Sequence, residues 1–244
     1  GLRVNSAKDD AAGLAISERM GAQVRGMNVA VRNANDAISL TQTAEGAMAK
    51  VGDSLQRMRE LAGQARNATN SDSDKDSLDK EFGELAKEIQ RVIGGTTFNG
   101  KHIIGSDADT QTFQIGANTS SDDTIDLVTT NMGSAADLTA VAGTDNTGAA
   151  RAVIDSTTDS TSLATVIDNI DTAIDFVNGE RATMGAAQNR FDAVISNLQV
   201  SVENQSAARS RITDADFATE TANLSRAQIL QQAGNAMVAQ ANQL

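Results

Sequence analysis

A heptad pattern of small and apolar residues runs without interruption through residues 34–65 and limits this stretch to one helix of a coiled coil or bundle. Nine of its ten a and d positions are apolar, and none is charged. These positions are Ala34, Ala37, Thr41, Ala44, Met48, Val51, Leu55, Met58, Ala62 and Ala65. Since a heptad spacing places all of them on one stripe of an α-helix, other helices must cover that stripe.

Two later segments repeat the spacing and are the predicted partners of the first stripe. The nearer segment follows a polar hinge at residues 67–77, where Asp76 or Ser77 is the expected N-cap. Its apolar positions are Leu78, Phe82, Leu85, Ile89 and Val92. The farther segment begins near Ser162. Its apolar a and d positions are Ile170, Ala173, Val177, Met184, Ala187, Phe191, Val194, Leu198 and Ala208.

A further helix is predicted at the end of the chain. The sequence RITDADF interrupts the heptads, and Thr213 or Asp214 is the expected N-cap of the helix that follows. The apolar face expected of this helix consists of Leu224, Ala227, Leu230, Ala233, Met237, Ala241 and Leu244. Because the heptads upstream already pair with one another, we expect this face to contact other copies of the chain.

The middle of the chain, residues 94–165, has a different character. The sequences TFQIG and TIDLV alternate apolar and polar residues on either side of ANTSSDD, which predicts two short strands of a β-hairpin. The stretch that follows is rich in glycine, threonine and other small residues, so residues 135–165 specify no fold by their pattern.

The composition favours long helices and excludes several kinds of function. The 244 residues include no proline, which would break a helix interior at a cost of about 3 kcal/mol. A net charge of −12 argues against nucleic acid as a partner and against adsorption to anionic membranes. No apolar run approaches the roughly 20 residues that cross a bilayer, so no membrane insertion is predicted. Without cysteine the chain has no disulfide and no thiol chemistry.

These patterns predict a mainly α fold, an elongated antiparallel helical bundle or coiled coil formed by the N- and C-terminal regions. A small, variable insertion with a β-hairpin interrupts it. The predicted divisions are residues 1–105 for the N-terminal half of the rod, 106–165 for the hairpin and short variable domain, and 166–244 for the C-terminal half. An antiparallel return of this kind brings both ends of the chain to the same end of the rod.

Neither catalysis nor a cofactor is predicted. His102 is the single histidine and stands in a turn sequence without a second imidazole or a metalloprotease motif, which is typical of a surface residue. The sequences SDADT (106–110) and SSDD (120–123) offer oxygen ligands, but neither has the order of an EF-hand loop. Incidental calcium binding stays open, and no resident metal is predicted.

Four long blocks in a fixed order resemble bacterial flagellin. They are GLRVNSAKDDAAGLAISERM (1–20), RNANDAISLTQTAEGAM (32–48), LQRMRELAGQARNATNS (55–71) and RITDADFATETANLSRAQILQQAGNAMVAQANQL (211–244). The sequence FQIGAN (113–118) is similar to the family's β-hairpin, whereas residues 119–165 carry no signature of the family. The resemblance covers essentially residues 1–105 and 165–244.

The resemblance implies a structural subunit, not an enzyme, that polymerises into the bacterial flagellar filament for motility. It implies an extracellular location, with the export and cap machinery of the flagellum as partners. The assembly helix would present Leu230, Met237 and Leu244. Flagellins also carry a further helix before the GLR segment and a short tail after ANQL, so we expect a chain trimmed at both ends. We expect this chain to stay monomeric or weakly associated in dilute buffer.

The resemblance also implies recognition by the vertebrate flagellin-sensing Toll-like receptor. The family's recognition segment matches a patch that consists of Leu55, Gln56, Arg57, Leu61 and Glu81. The same surface is expected to pack between neighbouring subunits in the filament. On the residues alone, the charges around Arg57 are an ordinary solvated helix face, which is the commonest role of such residues. Two other functions stay open, a flagellin-related surface protein that binds a polysaccharide and a hook–filament junction protein.

Overall fold

A computed structural model of the chain describes residues 1–241, which are mostly helical. Leu244, which the sequence places in the assembly helix, lies outside the described residues. A short 3₁₀ turn over Ser121–Asp123 precedes the second strand. The helices and strands are α1 (Ala11–Ala65), α2 (Asp72–Gly95), β1 (Thr110–Gln114), β2 (Thr124–Val128), α3 (Ala136–Ala142), α4 (Ser160–Thr213) and α5 (Phe217–Ala241).

The chain divides into two compact units. Among the described residues, the smaller unit combines residues 1–28 with residues 198–241, and the larger unit consists of residues 29–197. Helices α1 and α4 contribute residues to both. The sequence-based division at residues 105 and 165 follows the order of the chain and stays a prediction.

The predicted heptad stripe is the core of the larger unit. All ten a and d positions between residues 34 and 65 are buried. Phe82 and Ile89 of α2 and Ile170 and Val177 of α4 are buried in the same core. The antiparallel course of α1 and α4 is confirmed, because residue 45 of α1 faces residue 181 of α4 and residue 59 faces residue 171.

The turn between α1 and α2 is shorter than predicted, and Asp76 or Ser77 as the N-cap of α2 is wrong. The helix begins at Asp72 with Ser71 as its N-cap. The Asp74 amide donates to the Ser71 hydroxyl oxygen at 3.2 Å, and the Ser71 amide donates to the Asp74 carboxylate at 2.9 Å. This reciprocal pair satisfies two backbone donors, so the helix starts at the earliest residue that permits it. Hydrogen bonds from Ser71 lower the pKa of the Asp74 carboxyl.

The predicted β-hairpin is present, and it packs against α1 and α4 within the larger unit. Strands β1 and β2 pair antiparallel with Phe113 opposite Ile125. The Phe113 and Phe191 rings meet edge to face, with centroids 5.7 Å apart. The Asn33 side-chain amide donates to the carbonyl of Gln114 at 2.9 Å. Ile125 also packs into this cluster, so one face of the hairpin is buried and the other is solvated.

The stretch whose pattern specified no fold contains helix α3, which packs against α2. Leu138 and Val141 of α3 are fully buried in the core of the larger unit. The helix ends at Gly143, whose φ of 76° is one that a side-chain-bearing residue rarely adopts. The buried Gln90 side chain donates to the Gly143 carbonyl, which fixes this end of α3.

In the smaller unit, the segment before α1 pairs with the end of α4. Leu2 forms an isolated antiparallel bridge with Asp214, and the Arg3 amide donates to the Thr213 carbonyl at 2.7 Å. The predicted N-cap of the last helix is therefore wrong, because Thr213 ends α4 and Asp214 belongs to the bridge. Asp216 takes the capping role instead, and its carboxylate accepts the Ala218 amide at 3.0 Å.

Met48 allows a test of the central stripe, because its side chain is 1% exposed in the middle of α1. We expect Met48→Asp to lower the free energy of unfolding by at least about 3 kcal/mol, since it removes buried contacts and buries a carboxylate. Urea unfolding followed by circular dichroism measures the change. Gln42→Asp places the same charge on an exposed position of α1 and is the control. Equal stability of the two variants would contradict the role given to the stripe.

Candidate interaction surfaces

A charged cluster joins α1 to α2 on the surface of the larger unit. The Arg57 Nε atom donates to Glu81 at 2.8 Å, and its Nη1 atom donates to Glu60 at 2.9 Å. The side chains of Arg57 and Glu81 are each 48% exposed. The hydrogen bond that Arg57 donates to Glu81, followed by the one that it donates to Glu60, raises the pKa of the Arg57 guanidinium. The geometry fixes a guanidinium plane between two carboxylates and leaves it accessible from outside.

The five residues of the predicted patch divide into a buried and an exposed group. Leu55 and Leu61 are almost fully buried in the core, and their side chains are not part of the surface. Gln56, Arg57 and Glu81 are exposed. The heptad pattern predicts the burial of Leu55, because Leu55 occupies an a or d position. The two leucines thus hold the backbone of α1 in place beneath the polar surface.

A second ion pair lies next to this cluster and joins α1 to α4. Arg59 donates through two nitrogens to the carboxylate of Asp171, at 2.5 and 3.0 Å. The hydrogen bond from Arg59 lowers the pKa of the Asp171 carboxyl. Arg57 and Arg59 are two residues apart, so they point toward different neighbouring helices, α2 and α4. This difference makes Arg59 a matched comparison for Arg57.

The least exposed ion pair of the structure ties the segment before α4 to α2. Arg151 and Asp79 side chains are 15% and 14% exposed and share two hydrogen bonds, at 2.8 and 2.6 Å. The guanidinium also lies over the ring of Phe82, 5.9 Å from its centroid. The hydrogen bonding of Arg151 to the Asp79 carboxylate raises the pKa of the Arg151 guanidinium. The same carboxylate accepts the Ile154 amide at 3.0 Å, so it anchors the backbone as well.

This pair was missed from the sequence, although a weak signal was present. Arg151 is the only lysine or arginine between residues 102 and 180. Its isolation singles Arg151 out, but nothing in the sequence points to Asp79 as its partner. Gly83 is part of the arrangement, because a side chain there would begin 2.9 Å from the Arg151 guanidinium.

Helix α5 exposes its apolar side chains. Leu230 and Met237, which the sequence assigns to the assembly helix, are 65% and 74% exposed. None of the residues 217–241 is buried. The other large apolar side chains exposed on this helix are Phe217, Leu224, Ile229 and Val238. An apolar surface of this extent on a helix is typical of a segment that contacts a partner.

The residues considered for metals serve local structure. The Asp123 carboxylate accepts the Ser120 amide at 3.1 Å and the Asn118 amide at 3.3 Å, which closes the loop between the strands. His102 is half-buried, and its amide donates to Asp107 at 2.8 Å. Across residues 1–241, no three histidine, aspartate or glutamate side chains are grouped so that they could hold a metal ion. None of the helices in that range is long and apolar enough to cross a membrane.

Two family models match the chain at its helical ends. The bacterial flagellin N-terminal helical region matches residues 1–108, and the bacterial flagellin C-terminal helical region matches residues 167–244. The two matches together cover well over half of the chain. They contain α1, α2, most of α4 and α5, and the hairpin and α3 lie between them.

Individual relatives agree with the family models. The chain is 46% identical over 243 residues to a flagellin of Halalkalibacterium halodurans, an alignment that spans 100% of this chain and 85% of that protein. The crystal structure of Bacillus cereus flagellin is similar with a TM-score of 0.55 and 33% identity, over 68% of this chain and 88% of that one.

A third similarity concerns the fold alone. A candidate flagellar hook-associated protein from Vibrio parahaemolyticus superposes with a TM-score of 0.71, over 84% of this chain and 100% of that one, at 13% identity. The fold therefore does not separate filament subunits from junction proteins. The identity of 46% along the whole chain does, and it favours the filament subunit.

The different exposure of the Arg151 and Arg57 ion pairs predicts that removing the two arginines changes the free energy of unfolding by different amounts. Arg151→Ala leaves the Asp79 carboxylate without its cation at a site with little solvent, so we expect a loss of about 2 kcal/mol or more in unfolding free energy. Arg57→Ala breaks a half-exposed pair, and we expect no resolvable change of the urea midpoint. Urea unfolding of both variants tests the ranking, which an unchanged midpoint for Arg151→Ala would overturn.

Proposed function

The chain belongs to the bacterial flagellin family, and on that premise we propose that it is exported from the cell and polymerises through helix α5. Members of this family are structural subunits of the flagellar filament and not enzymes. Self-association into a filament at the bacterial surface is therefore the function of this chain. The route out of the cell, the surfaces that assemble and the recognition of the filament by other proteins are the proposal.

The exposed apolar surface of α5 carries the assembly part of the proposal. Seven residues are almost two helical turns, so Leu230 and Met237 share one side of the helix, and Phe217 and Leu224 share another. The thirteen steps from Phe217 to Leu230 place these two residues roughly 140° apart around the helix axis. A helix with apolar side chains on several sides is stable in water only when more than one neighbour covers it. A lattice of subunits provides such neighbours, whereas a simple dimer covers one side.

The energetics explain why many copies are needed. Burying one large apolar side chain contributes about 1.5–3 kcal/mol, and α5 exposes six of them. Their sum, roughly 9–18 kcal/mol if all six are buried, is comparable with the 4–15 kcal/mol that association costs in lost freedom. One pairwise contact is therefore weak, and contacts repeated around a helical lattice make it stable.

The composition supports export in an unfolded state. The chain has no proline and no cysteine. Proline isomerisation takes tens of seconds, and disulfide exchange takes seconds to hours, so neither slow step delays folding after export. A chain that folds quickly next to the growing filament is available for assembly when it arrives.

Charge on one side of α5 tests the assembly proposal. We expect Leu230→Asp combined with Met237→Asp to abolish filaments, since both carboxylates would be buried in the contact without partners. The gene encoding this chain is expressed in a host without its own flagellin, and surface filaments are counted by electron microscopy. Gln232→Asp is the control, because Gln232 is exposed and lies roughly 140–160° around the helix from Leu230 and Met237. Normal filaments from the double variant would exclude α5 as the assembly helix.

The charged cluster around Arg57 supports the second part of the proposal, binding to the vertebrate flagellin-sensing Toll-like receptor. Two nitrogens of the Arg57 guanidinium donate to Glu81 and Glu60, and the third, Nη2, has no hydrogen-bond partner within residues 1–241. That nitrogen and the exposed Gln56 side chain are available to a receptor. Because Glu81 and Glu60 already hold the guanidinium plane, little side-chain freedom is lost on binding.

Receptor signalling separates this proposal from an ordinary solvated helix face. We expect Arg57→Ala and Glu81→Ala each to weaken signalling at least about tenfold, because hydrogen bonds to charged groups at interface centres contribute about 1.5–3 kcal/mol. Arg59→Ala, which breaks the pair with Asp171 on the same helix, should signal like the unmodified chain. Circular dichroism confirms that all three are folded. If all three signal equally well, the cluster is not the recognition site.

A further inference from the structure

The tip of a surface turn between α2 and β1 is an exposed Asn–Gly pair. The Phe98 amide donates to the Lys101 carbonyl at 2.9 Å, and the Lys101 amide donates back at 3.0 Å. Between them, Asn99 and Gly100 have φ angles of 49° and 80°, as in a type I′ turn. We propose that Asn99 is a site of spontaneous modification, at which the side-chain amide is lost and an aspartate or isoaspartate remains.

The reaction needs only water as a co-reactant. The backbone nitrogen of Gly100 loses its proton to hydroxide and attacks the side-chain carbonyl carbon of Asn99. A nitrogen–carbon bond forms, the bond to the side-chain nitrogen breaks, and ammonia leaves with the protons, which closes a five-membered imide. Water then adds to one of the two imide carbonyls. Opening on the backbone side gives isoaspartate, and opening on the side-chain side gives aspartate.

The backbone nitrogen at this turn is accessible to react. The Gly100 amide donates no hydrogen bond to any residue that the structure describes. No atom outside residues 99–101 lies within 4 Å of the position that a Gly100 side chain would occupy, so no other part of the chain obstructs ring closure. Ring closure requires rotation of the Asn99 backbone and therefore opening of the turn. Since the tip is exposed and nothing packs on it, this opening is local and small.

The second Asn–Gly pair of the chain provides a built-in comparison. Asn178 and Gly179 are also exposed, but they lie inside the 54-residue helix α4. There the Gly179 amide is engaged in a hydrogen bond to the carbonyl four residues earlier. Attack by that nitrogen would require several turns of the helix to open. The same dipeptide is therefore held in an unreactive geometry.

Two Asn–Ser pairs, whose small second residue also permits ring closure, are protected in another way. The Ser6 amide, after Asn5, donates to the Asp9 carboxylate at 2.9 Å. The Ser71 amide, after Asn70, donates to the Asp74 carboxylate at 2.9 Å. In each case the attacking nitrogen is bound to a charged acceptor. Of these four pairs, Asn99–Gly100 alone has an exposed turn and an unengaged nitrogen.

The modification would change the local structure. It adds a negative charge beside Lys101. The isoaspartate form also lengthens the backbone by one carbon, and a two-residue type I′ turn no longer closes with its two hydrogen bonds. Phe98, at the base of the turn, packs against the core of the larger unit and would be displaced. A modified subunit outside the cell would not be replaced by a new one, so such changes would accumulate as a filament ages.

Peptide mapping of the intact, folded chain tests the proposal. The chain is incubated in mildly alkaline buffer and digested at intervals, and peptides are quantified by mass spectrometry and by isoaspartyl methyltransferase labelling. We expect Asn99 to deamidate at least about tenfold faster than Asn178, because an interior helical turn opens far less often than an exposed turn. Asn99→Gly preserves the turn, because a type I′ turn accepts Gly–Gly at its two central positions. This variant should lose most of the isoaspartate label.

The same measurement in concentrated urea separates structure from local sequence. Unfolded, the two Asn–Gly pairs should react at similar rates, since both are followed by glycine. Equal rates at Asn99 and Asn178 in the folded chain, or faster reaction at Asn5 or Asn70, would overturn the proposal. A tenfold preference that persists in urea would overturn it too, because the turn would then not be its cause.

Discussion

The burial of one stripe of α1 is the contact on which the rest of the larger unit depends. Residues 34–65 place alanine, methionine, valine and leucine against α2 and α4, and every a and d position is buried. Alanine at several of these positions lets helices approach closely, and the larger side chains of Met48, Leu55 and Met58 fill the remaining space. The β-hairpin and α3 pack against the frame that these helices form.

The ion pairs around this core differ in their exposure to solvent and in the segments that they join. Arg57 and Arg59 join α1 to α2 and to α4 at the surface, where solvent weakens their contribution to stability. Arg151 and Asp79 lie where solvent is scarce, and they fix a segment that has few apolar residues of its own. The exposed pairs can therefore serve recognition, whereas the sheltered pair serves the fold.

Helix α5 differs from the helices of the core in that none of its apolar side chains is buried. Its apolar residues face solvent on several sides, and the chain does not cover them. On the proposal that α5 is the assembly helix, neighbouring subunits would cover this surface and stabilise the helix in the filament. The larger unit, by contrast, has its own core and needs no partner to bury it. This separation gives a subunit that can fold before it polymerises.

The sequence predicts the periodic parts of this structure and misses those that depend on distant partners. The stripes of α1, α2 and α4 and the hairpin follow from spacing alone, because one buried face imposes its period on the residues. The sequence does not identify Ser71 and Asp216 as the N-caps of α2 and α5, since several neighbouring residues could serve as caps and only one satisfies the backbone. The Arg151–Asp79 pair joins residues 72 positions apart, and no local pattern encodes it. Leu55 and Leu61 matched a recognition segment by identity, but burial removes their side chains from the surface.

Hydrogen exchange measured by mass spectrometry on the dilute chain, and again on assembled filaments, tests the central claim most directly. Amides of α1, α2 and α4 between residues 34 and 191 should be strongly protected in both states, because their core belongs to the subunit. Amides of α5 should exchange rapidly in the dilute chain and become protected only in the filament. If α5 is protected in the dilute chain as strongly as α1, its apolar surface is already covered within one subunit. The claim that α5 is covered only by neighbouring subunits would then be wrong.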